Sequence, residues 1–327
     1  MGQYWMILNL DKKEKMFLGK LGETFFEVHS DLQDTLKAFA LPEMPKLGAK
    51  KIQYSLALLT NDRDCGRRGL LALPAEILAE ITGSLDSIYD LICLAAACHH
   101  LWEACRVLIQ KQLKGTTWAG CRIICLGDES DDLPPTVALS EVEQAEVLEW
   151  GNTTSEPVDY APALLWSYAA ELYEYRDDDV NLKRGLRMLI LDGPPAVAIE
   201  NMTDRPWHRS DVLRNLSKRL YVRQAVLNKL WEELTLRHPQ LKQEWNMAPC
   251  VGNALLCRIC WSTSDNAAMN VKEESITQGP WAGDRFDVVH MRELKMDSEF
   301  PQWQDVSEEV FAVLRKCWES ELRCNAE

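Results

Sequence analysis

The chain has little positive charge for its size. Its 327 residues include 36 lysines and arginines against 50 aspartates and glutamates, a formal net charge of −14. Such a protein repels phosphate backbones and anionic lipid headgroups, so the composition argues against a nucleic-acid or membrane-surface binder. Residues 123–175 contain no lysine or arginine, whereas residues 183–229 contain many. In one interpretation the two segments face each other or are simply solvated. In the other, the acidic segment forms a surface for a basic protein partner.

Signatures of export, membrane insertion and cofactor chemistry are missing as well. No stretch approaches 18 consecutive apolar residues, and the first residues lack the basic start and apolar run of a secretory signal. We therefore expect a cytoplasmic or nuclear protein whose 11 cysteines are reduced. The sequence has no glycine-rich phosphate loop, nucleophile elbow or His-Glu-x-x-His motif, so we expect no cofactor and assign no catalytic residue.

One pair of cysteines has the spacing of a metal site. Cys257 and Cys260 are separated by two residues, and Cys250 lies nearby. The sequence offers no second cysteine pair or histidine pair at zinc-finger distance. We interpret the three residues as buried or free thiols and expect no metal ion.

A dense helical stretch occupies residues 66–113. It opens at Leu73-Pro74, where proline suits the start of a helix, and leucine and isoleucine then recur at helical spacing. Ser87 followed by Asp90 predicts the start of a second helix. Three short helices with so much apolar surface cannot bury all of it among themselves. We expect the surplus to dock on another protein.

The order of residues in this stretch resembles an F-box. That helical module connects substrate receptors to cullin–RING ubiquitin ligases through a Skp-type adaptor. His99 and His100 stand where many F-boxes carry a basic residue. The resemblance implies a Skp-type adaptor and a cullin as partners, with the adaptor held by these side chains: Leu73, Pro74, Ile77, Leu78, Ile81, Leu85, Leu91, Leu94, Cys98, Leu101 and Trp102.

Five segments outside the helical stretch carry a second resemblance: Met1-Gly-Gln-Tyr-Trp5, Asn9-Leu-Asp-Lys12, Arg122-Ile-Ile-Cys-Leu-Gly-Asp128, Leu216-Ser-Lys-Arg-Leu-Tyr-Val222 and Trp281-Ala-Gly-Asp-Arg285. In these segments the flanking sequence is similar to a large group of F-box proteins from mushroom-type (basidiomycete) fungi, and to a bacterial family that lacks the helical stretch. The resemblance implies an α+β fold, in which a mixed, β-rich domain consists of residues 1–65 and 114–327. The F-box module, residues 66–113, is then an insertion, and target recognition belongs to the last segment.

Two segments of the host domain echo each other. Trp118-Ala-Gly-Cys-Arg122 recurs as Trp281-Ala-Gly-Asp-Arg285, each time before an apolar strand. They are either two similar strand entries or the trace of a duplicated half-domain.

Local signals outside the helical stretch are fewer. Residues 24–28 are aromatic and β-branched, which predicts a strand. Ser140 followed by Glu143 predicts a capping box, and Asp305 is the predicted N-cap of a C-terminal helix.

We expect a receptor without catalytic chemistry of its own, which binds the adaptor through the F-box and holds an unidentified protein target near activated ubiquitin. An alternative of another class is an enzyme or small-ligand binder whose F-box controls only turnover or location. A third is a scaffold that binds the adaptor without ubiquitin transfer. No leucine-rich, WD or kelch repeat names the target. The ligand cleft of the second reading would gather Asp128, Asn215, Lys218, Arg219, Tyr221 and Arg285.

Overall fold

The computed structural model describes residues 2–26, 32, 36–40, 70, 73–85, 87–96, 99–153, 160–176, 209–239, 248–264, 266, 269 and 274–324. The chain forms two compact units. Unit 1 comprises Met1–Ala40, Trp118–Arg176 and Trp207–Glu327, and unit 2 comprises Leu41–Thr117 and Asp177–Pro206. The predicted boundary between residues 65 and 66 lies outside the described residues, and the predicted domain limits stay predictions.

Helices and mixed sheets together confirm the α+β class. The helices are α1 Leu21–Phe26, α2 Ala75–Gly83, α3 Ile88–Ala96, α4 His99–Thr116, α5 Glu141–Gly151, α6 Ala161–Leu172, α7 Gln224–Arg237, α8 Val251–Ile259, α9 Glu274–Thr277, α10 Met291–Met296 and α11 Ser307–Cys324. The strands are β1 Tyr4–Asn9, β2 Glu14–Lys20, β3 Ile123–Gly127, β4 Glu174–Tyr175, β5 Asp211–Asn215, β6 Leu220–Arg223, β7 Cys260–Trp261, β8 Phe286–His290 and β9 Gln304–Asp305.

Unit 1 is built on two sheets. The first has the strand order β4-β2-β1-β3-β7 and the second has the order β8-β5-β6-β9. Side chains alternate along β1, so Trp5 and Ile7 enter a large core shared with the second sheet and with α1, α7, α8 and α11. Met6 and Leu8 point to the opposite face, where α5 and α6 cover them. Both faces of β1 are therefore packed from Trp5 onward.

Unit 2 contains α2, α3 and α4. Buried side chains of α3 and α4 form its core, and α2 packs on α4. The amide of Gln112 on α4 donates to the carbonyl of Leu85 at 3.4 Å, which links α4 to the connection between α2 and α3. Two nine-residue helices and one of 18 residues thus occupy the described part of the stretch that the sequence predicts to be helical, and the last one continues to Thr116.

Unit 1 contains one hairpin arrangement twice. Asn9 ends β1 and Asn215 ends β5, and each side-chain oxygen accepts the backbone N–H three residues later, at 3.1 and 3.0 Å. Both turns then place a residue in the left-handed region, Lys13 at φ 54° and Arg219 at φ 56°. Each hairpin is extended by a two-residue parallel strand, β4 beside β2 and β9 beside β6.

The two Trp-Ala-Gly segments pair with each other. The N–H of Gly120 donates to the carbonyl of Phe286 at 2.7 Å, and the N–H of Gly283 donates to the carbonyl of Ile123 at 2.7 Å. Both glycines have a positive φ, 79° and 82°, which other residues rarely adopt. Such reciprocal bonds are what an approximate two-fold repeat produces, so the structure favours the duplicated half-domain over two similar strand entries.

One local prediction is wrong. Residues 24–26 belong to α1 and are not a strand, and residues 27–28 lie outside the described residues. Phe25 is buried, and its ring centroid lies 5.1 Å from that of Trp318. Packing of α1 on the C-terminal helix therefore overrides the local β propensity.

Candidate functional site

Unit 2 exposes an apolar stripe on α2. Ile77 and Ile81 are four residues apart and so lie on one helix face, and Leu73 precedes the helix by two residues. Leu73 is 37% exposed and Ile77 is 41% exposed, while Ile81 is partly exposed. Pro74 is exposed at the start of the helix, where its carbonyl accepts the N–H of Leu78 at 3.1 Å. We call Leu73, Ile77 and Ile81 the α2 stripe.

The other predicted adaptor contacts lie deeper. Leu85 and Leu94 are partly buried against the core of unit 2, which contains Ile92, Ala95, Cys105, Ile109 and Leu113. The side chains of Cys98 and Trp102 lie outside the described residues. The fully buried members of the predicted set are Leu78, Leu91 and Leu101.

Two residues of the predicted ligand cleft meet at Asp284. The buried amide of Asn215 donates to its carboxylate at 2.8 Å, and the ammonium of Lys218 lies 2.8 Å from the same oxygen. Lys218 also donates to the carbonyl of Pro280. Both side chains therefore have partners within unit 1.

The two arginines of the predicted cleft pair with different carboxylates. Arg285 lies 2.6 Å from Asp11, and Arg219 lies 3.3 Å from Glu299. The backbone N–H of Arg285 donates to Ser217 at 3.0 Å, which brings this arginine beside the hairpin turn that carries Lys218. These contacts fix the arginines within the fold.

The remaining two residues lie apart in unit 1, Tyr221 on a strand and Asp128 in a turn. Tyr221 is buried in β6, and burial together with the negative charge of Asp305 raises the pKa of its hydroxyl. Asp128 is exposed after β3 and accepts the N–H of Tyr4 at 2.9 Å. The structure thus places Asn215, Lys218 and Arg285 around one hairpin turn, where each is held by contacts within unit 1. The ligand cleft stays a prediction.

An exposed acidic loop follows β3. The carboxylates of Asp128, Glu129, Asp131 and Asp132 all belong to exposed residues. The segment after β7 holds this loop, since Thr263 accepts the N–H of Asp131 at 3.0 Å, and the hydroxyl of Ser264 donates to Glu129 at 2.6 Å. These hydrogen bonds hold the backbone at Asp131 and the carboxylate of Glu129 in place. We call residues 128–132 the acidic loop.

An exposed aromatic pair on the first sheet is not evident from the sequence pattern. The rings of Tyr4 on β1 and Phe17 on β2 stack with a centroid distance of 6.0 Å. Tyr4 is 47% exposed and Phe17 is 52% exposed. The continuous apolar residues of β1 predict a strand that is buried on both faces. That its first residue, Tyr4, is exposed depends on where the covering helices lie, which the sequence pattern does not give.

The three cysteines with metal-like spacing are buried thiols. Burial raises the pKa values of Cys250 and Cys260, and it raises the pKa of Cys257 to about 12. Cys260 pairs in register with Cys125 across β7 and β3. Within the part of the chain that the structure describes, no group of three or more histidine, cysteine, aspartate or glutamate side chains is arranged to hold a metal ion.

Comparison with known proteins gives no matching family model, no matching curated protein and no matching solved structure. Among the described helices, none combines the length and the apolar character that a membrane span requires.

Proposed function

We propose that the chain is the substrate receptor of a Skp–cullin–F-box ubiquitin ligase. Unit 2 binds the Skp-type adaptor, and unit 1 binds a protein target. The chain itself supplies proximity, because it holds the target beside the ubiquitin that the recruited enzymes have activated.

The α2 stripe is the observation that carries this proposal. Leu73, just before α2, and Ile77 on α2 expose apolar side chains, while the neighbouring helices α3 and α4 already share a packed core. Apolar side chains at the centre of an interface usually provide most of its binding energy. A stripe that unit 2 leaves in water is thus suited to a protein partner.

Charge supports a role for unit 1 in holding a target. The acidic loop carries four exposed carboxylate residues, and residues 123–175 contain no lysine or arginine. Complementary charge raises association rates and discriminates among partners. A target with a basic surface is therefore favoured.

Affinity purification of the tagged full chain tests the proposal. We expect Skp-type adaptor and cullin peptides by mass spectrometry, and we expect Leu73→Asp combined with Ile77→Asp to lose both. Val107→Asp is the matched control, since Val107 is 64% exposed on α4. Equal recovery of the adaptor by both variants would contradict the proposal.

Ubiquitin transfer separates a receptor from a scaffold. In a reconstituted ligase, we expect ubiquitin on proteins that co-purify with the wild-type chain and none when the α2 stripe is substituted. Adaptor binding without any transfer would instead support the scaffold.

A further inference from the structure

Three exposed aromatic side chains share one face of the first sheet. Phe17 on β2 lies opposite Met6 on β1, and Tyr4 is two residues before Met6. Lys15 is two residues before Phe17 and pairs in register with Tyr175 on β4. Side chains two apart on a strand share a face, and so do directly paired residues. We call Tyr4, Phe17 and Tyr175 the aromatic row.

Helix α6 ends beside this row and leaves it in water. The ammonium of the buried Lys15 donates to the carbonyl of Ala169 at 3.2 Å and also to the carbonyl of Ala170, near the end of α6. Beyond that point Tyr175 is 68% exposed, and the Lys15 ammonium lies 4.5 Å from the centroid of its ring. Exposed aromatic side chains grouped on one face often mark a site where a partner binds.

The acidic loop adjoins one end of the row. Tyr4 donates its N–H to the Asp128 carboxylate at 2.9 Å, and its carbonyl accepts the N–H of Asp128 at 3.0 Å. These two bonds fix the loop beside the aromatic rings. Lys20 lies opposite Tyr4 in register, and its ammonium lies 3.6 Å from Glu23.

We propose that the aromatic row and the acidic loop together dock an arginine- or lysine-bearing extended segment of the target. This inference rests on the proposed function, because it names the chemistry of the protein that the receptor holds. Aromatic faces attract cationic side chains, and the neighbouring carboxylates pair with the same charges. An acidic or purely apolar segment would gain neither contact.

A defined peptide tests the site on the full chain. The probe is a short fluorescein-labelled peptide of alternating arginine and glycine, and its comparison peptide carries uncharged citrulline at each arginine position. We expect saturable binding of the arginine peptide by fluorescence anisotropy and at least about tenfold weaker binding of the citrulline peptide.

Two matched variants decide whether the aromatic row is the site. Tyr4→Ser combined with Phe17→Ser should weaken binding about tenfold. Leu236→Ser combined with Met296→Ser, which also removes two exposed apolar side chains, should leave it unchanged. Equal binding by all forms would overturn the proposal, since net charge alone would then attract the peptide. Absence of binding to the wild-type chain would overturn it too.

A charge variant separates the two halves of the site. Asp128→Asn combined with Asp131→Asn should weaken peptide binding and reduce its dependence on salt, because two negative charges are removed. The amide that replaces the Asp128 carboxylate keeps an oxygen for the N–H of Tyr4, so the loop should stay in place. Adaptor binding measured on the same variants should be unaffected, and thermal unfolding followed by circular dichroism checks that unit 1 of each variant is folded. Loss of peptide binding with retained adaptor binding supports the docking site, whereas failure of adaptor binding by the wild-type chain bears on the proposed function alone.

Discussion

The guanidinium groups of Arg122 and Arg285 bind opposite oxygens of one carboxylate, that of Asp11. The distances are 2.7 Å from Arg122 Nε to Oδ1 and 2.6 Å from Arg285 Nη1 to Oδ2. Each arginine ends one of the two Trp-Ala-Gly segments, and Asp11 lies in the hairpin turn of the first half. The corresponding turn of the second half carries Ser217, which accepts the N–H of Arg285 at 3.0 Å. One aspartate thus joins the two halves of unit 1.

Acid should weaken unit 1 through two carboxyls that Arg122 binds. Burial raises the pKa values of Asp11 and Glu143, but hydrogen bonds and charge from Arg122 outweigh it and hold both below their ordinary values of 3.8 and 4.5. A carboxyl with a lowered folded pKa stabilises above its unfolded pKa, and this stabilisation is lost as the pH falls through the folded value. We expect the free energy of unfolding, measured in urea, to fall below about pH 4.5.

Glu143→Gln tests the origin of that acid sensitivity. It should cost about 1–2 kcal/mol at neutral pH and flatten the decline in acid, because the charge-assisted bond to Arg122 is weakened. The exposed Glu232→Gln serves as its control and should leave the decline as it is. Equal pH profiles for wild type and Glu143→Gln would show that this ion pair does not matter.

The duplication predicts a stabilising substitution at Cys121. In the second half, Asp284 accepts the buried amide of Asn215 at 2.8 Å. In the first half, Cys121 stands at the equivalent position, and the buried amide nitrogen of Asn9 has no hydrogen-bond partner among the described residues. Cys121→Asp should raise the unfolding free energy by about 1 kcal/mol, whereas Asp284→Ala should lower it by about 2 kcal/mol.

Urea titrations of both variants would measure these effects. A less stable Cys121→Asp variant would argue against equivalence of the two positions. Cys121→Ser is the control, because it changes the thiol without adding a carboxylate.

Cysteine reactivity should follow burial. Cys93 is exposed on α3, whereas Cys250, Cys257 and Cys260 are buried with raised pKa values. Only the thiolate is nucleophilic, so iodoacetamide at mildly alkaline pH should modify Cys93 quickly and the other three only after unfolding. Peptide mass spectrometry over time checks this order. Modification of Cys257 as fast as Cys93 would show that the α8 segment opens readily.

Most of unit 2 should be removable without loss of unit 1. The N–H of Trp118 donates to the carbonyl of Ala38 at 2.6 Å, and the N–H of Trp281 donates to the carbonyl of Arg258 at 2.8 Å. The intervening chain is residues 39–117 in the first half and only residues 259–280 in the second. Because the two ends of the segment 41–117 lie close together, a short glycine–serine linker in its place should allow unit 1 to fold.

Thermal unfolding followed by circular dichroism would test that deletion. We expect one cooperative transition for the shortened chain and no adaptor binding. A gradual transition or aggregation would mean that residues 41–117 contribute to the fold of unit 1.

The sequence predicts the start of a helix well when residues close together in the chain form the capping hydrogen bonds. The capping box of Ser140 and Glu143 is present at the start of α5, as predicted. The Asp305 carboxylate accepts the N–H of Ser307, so the predicted helix start is close to the observed one. Such bonds involve residues two or three apart, and sequence patterns describe them directly.

Tertiary packing decides what sequence could not predict. The predicted adaptor contacts include Ile77, which is exposed, and Leu78, which is buried. Both residues are apolar, so the sequence does not tell which of them faces water. The packing of α2 on α4 decides it. The duplicated hairpins share a short Asn-Leu-x-Lys pattern, residues 9–12 and 215–218, and the repeated hydrogen bonds are what show that the two turns are equivalent.

Calorimetric titration of the purified full chain with a purified Skp-type adaptor measures whether the two proteins bind and through which side chains. We expect saturable one-to-one binding that Leu73→Asp with Ile77→Asp abolishes and Val107→Asp leaves intact. No binding by the wild-type chain, or equal affinity for all three forms, would contradict it.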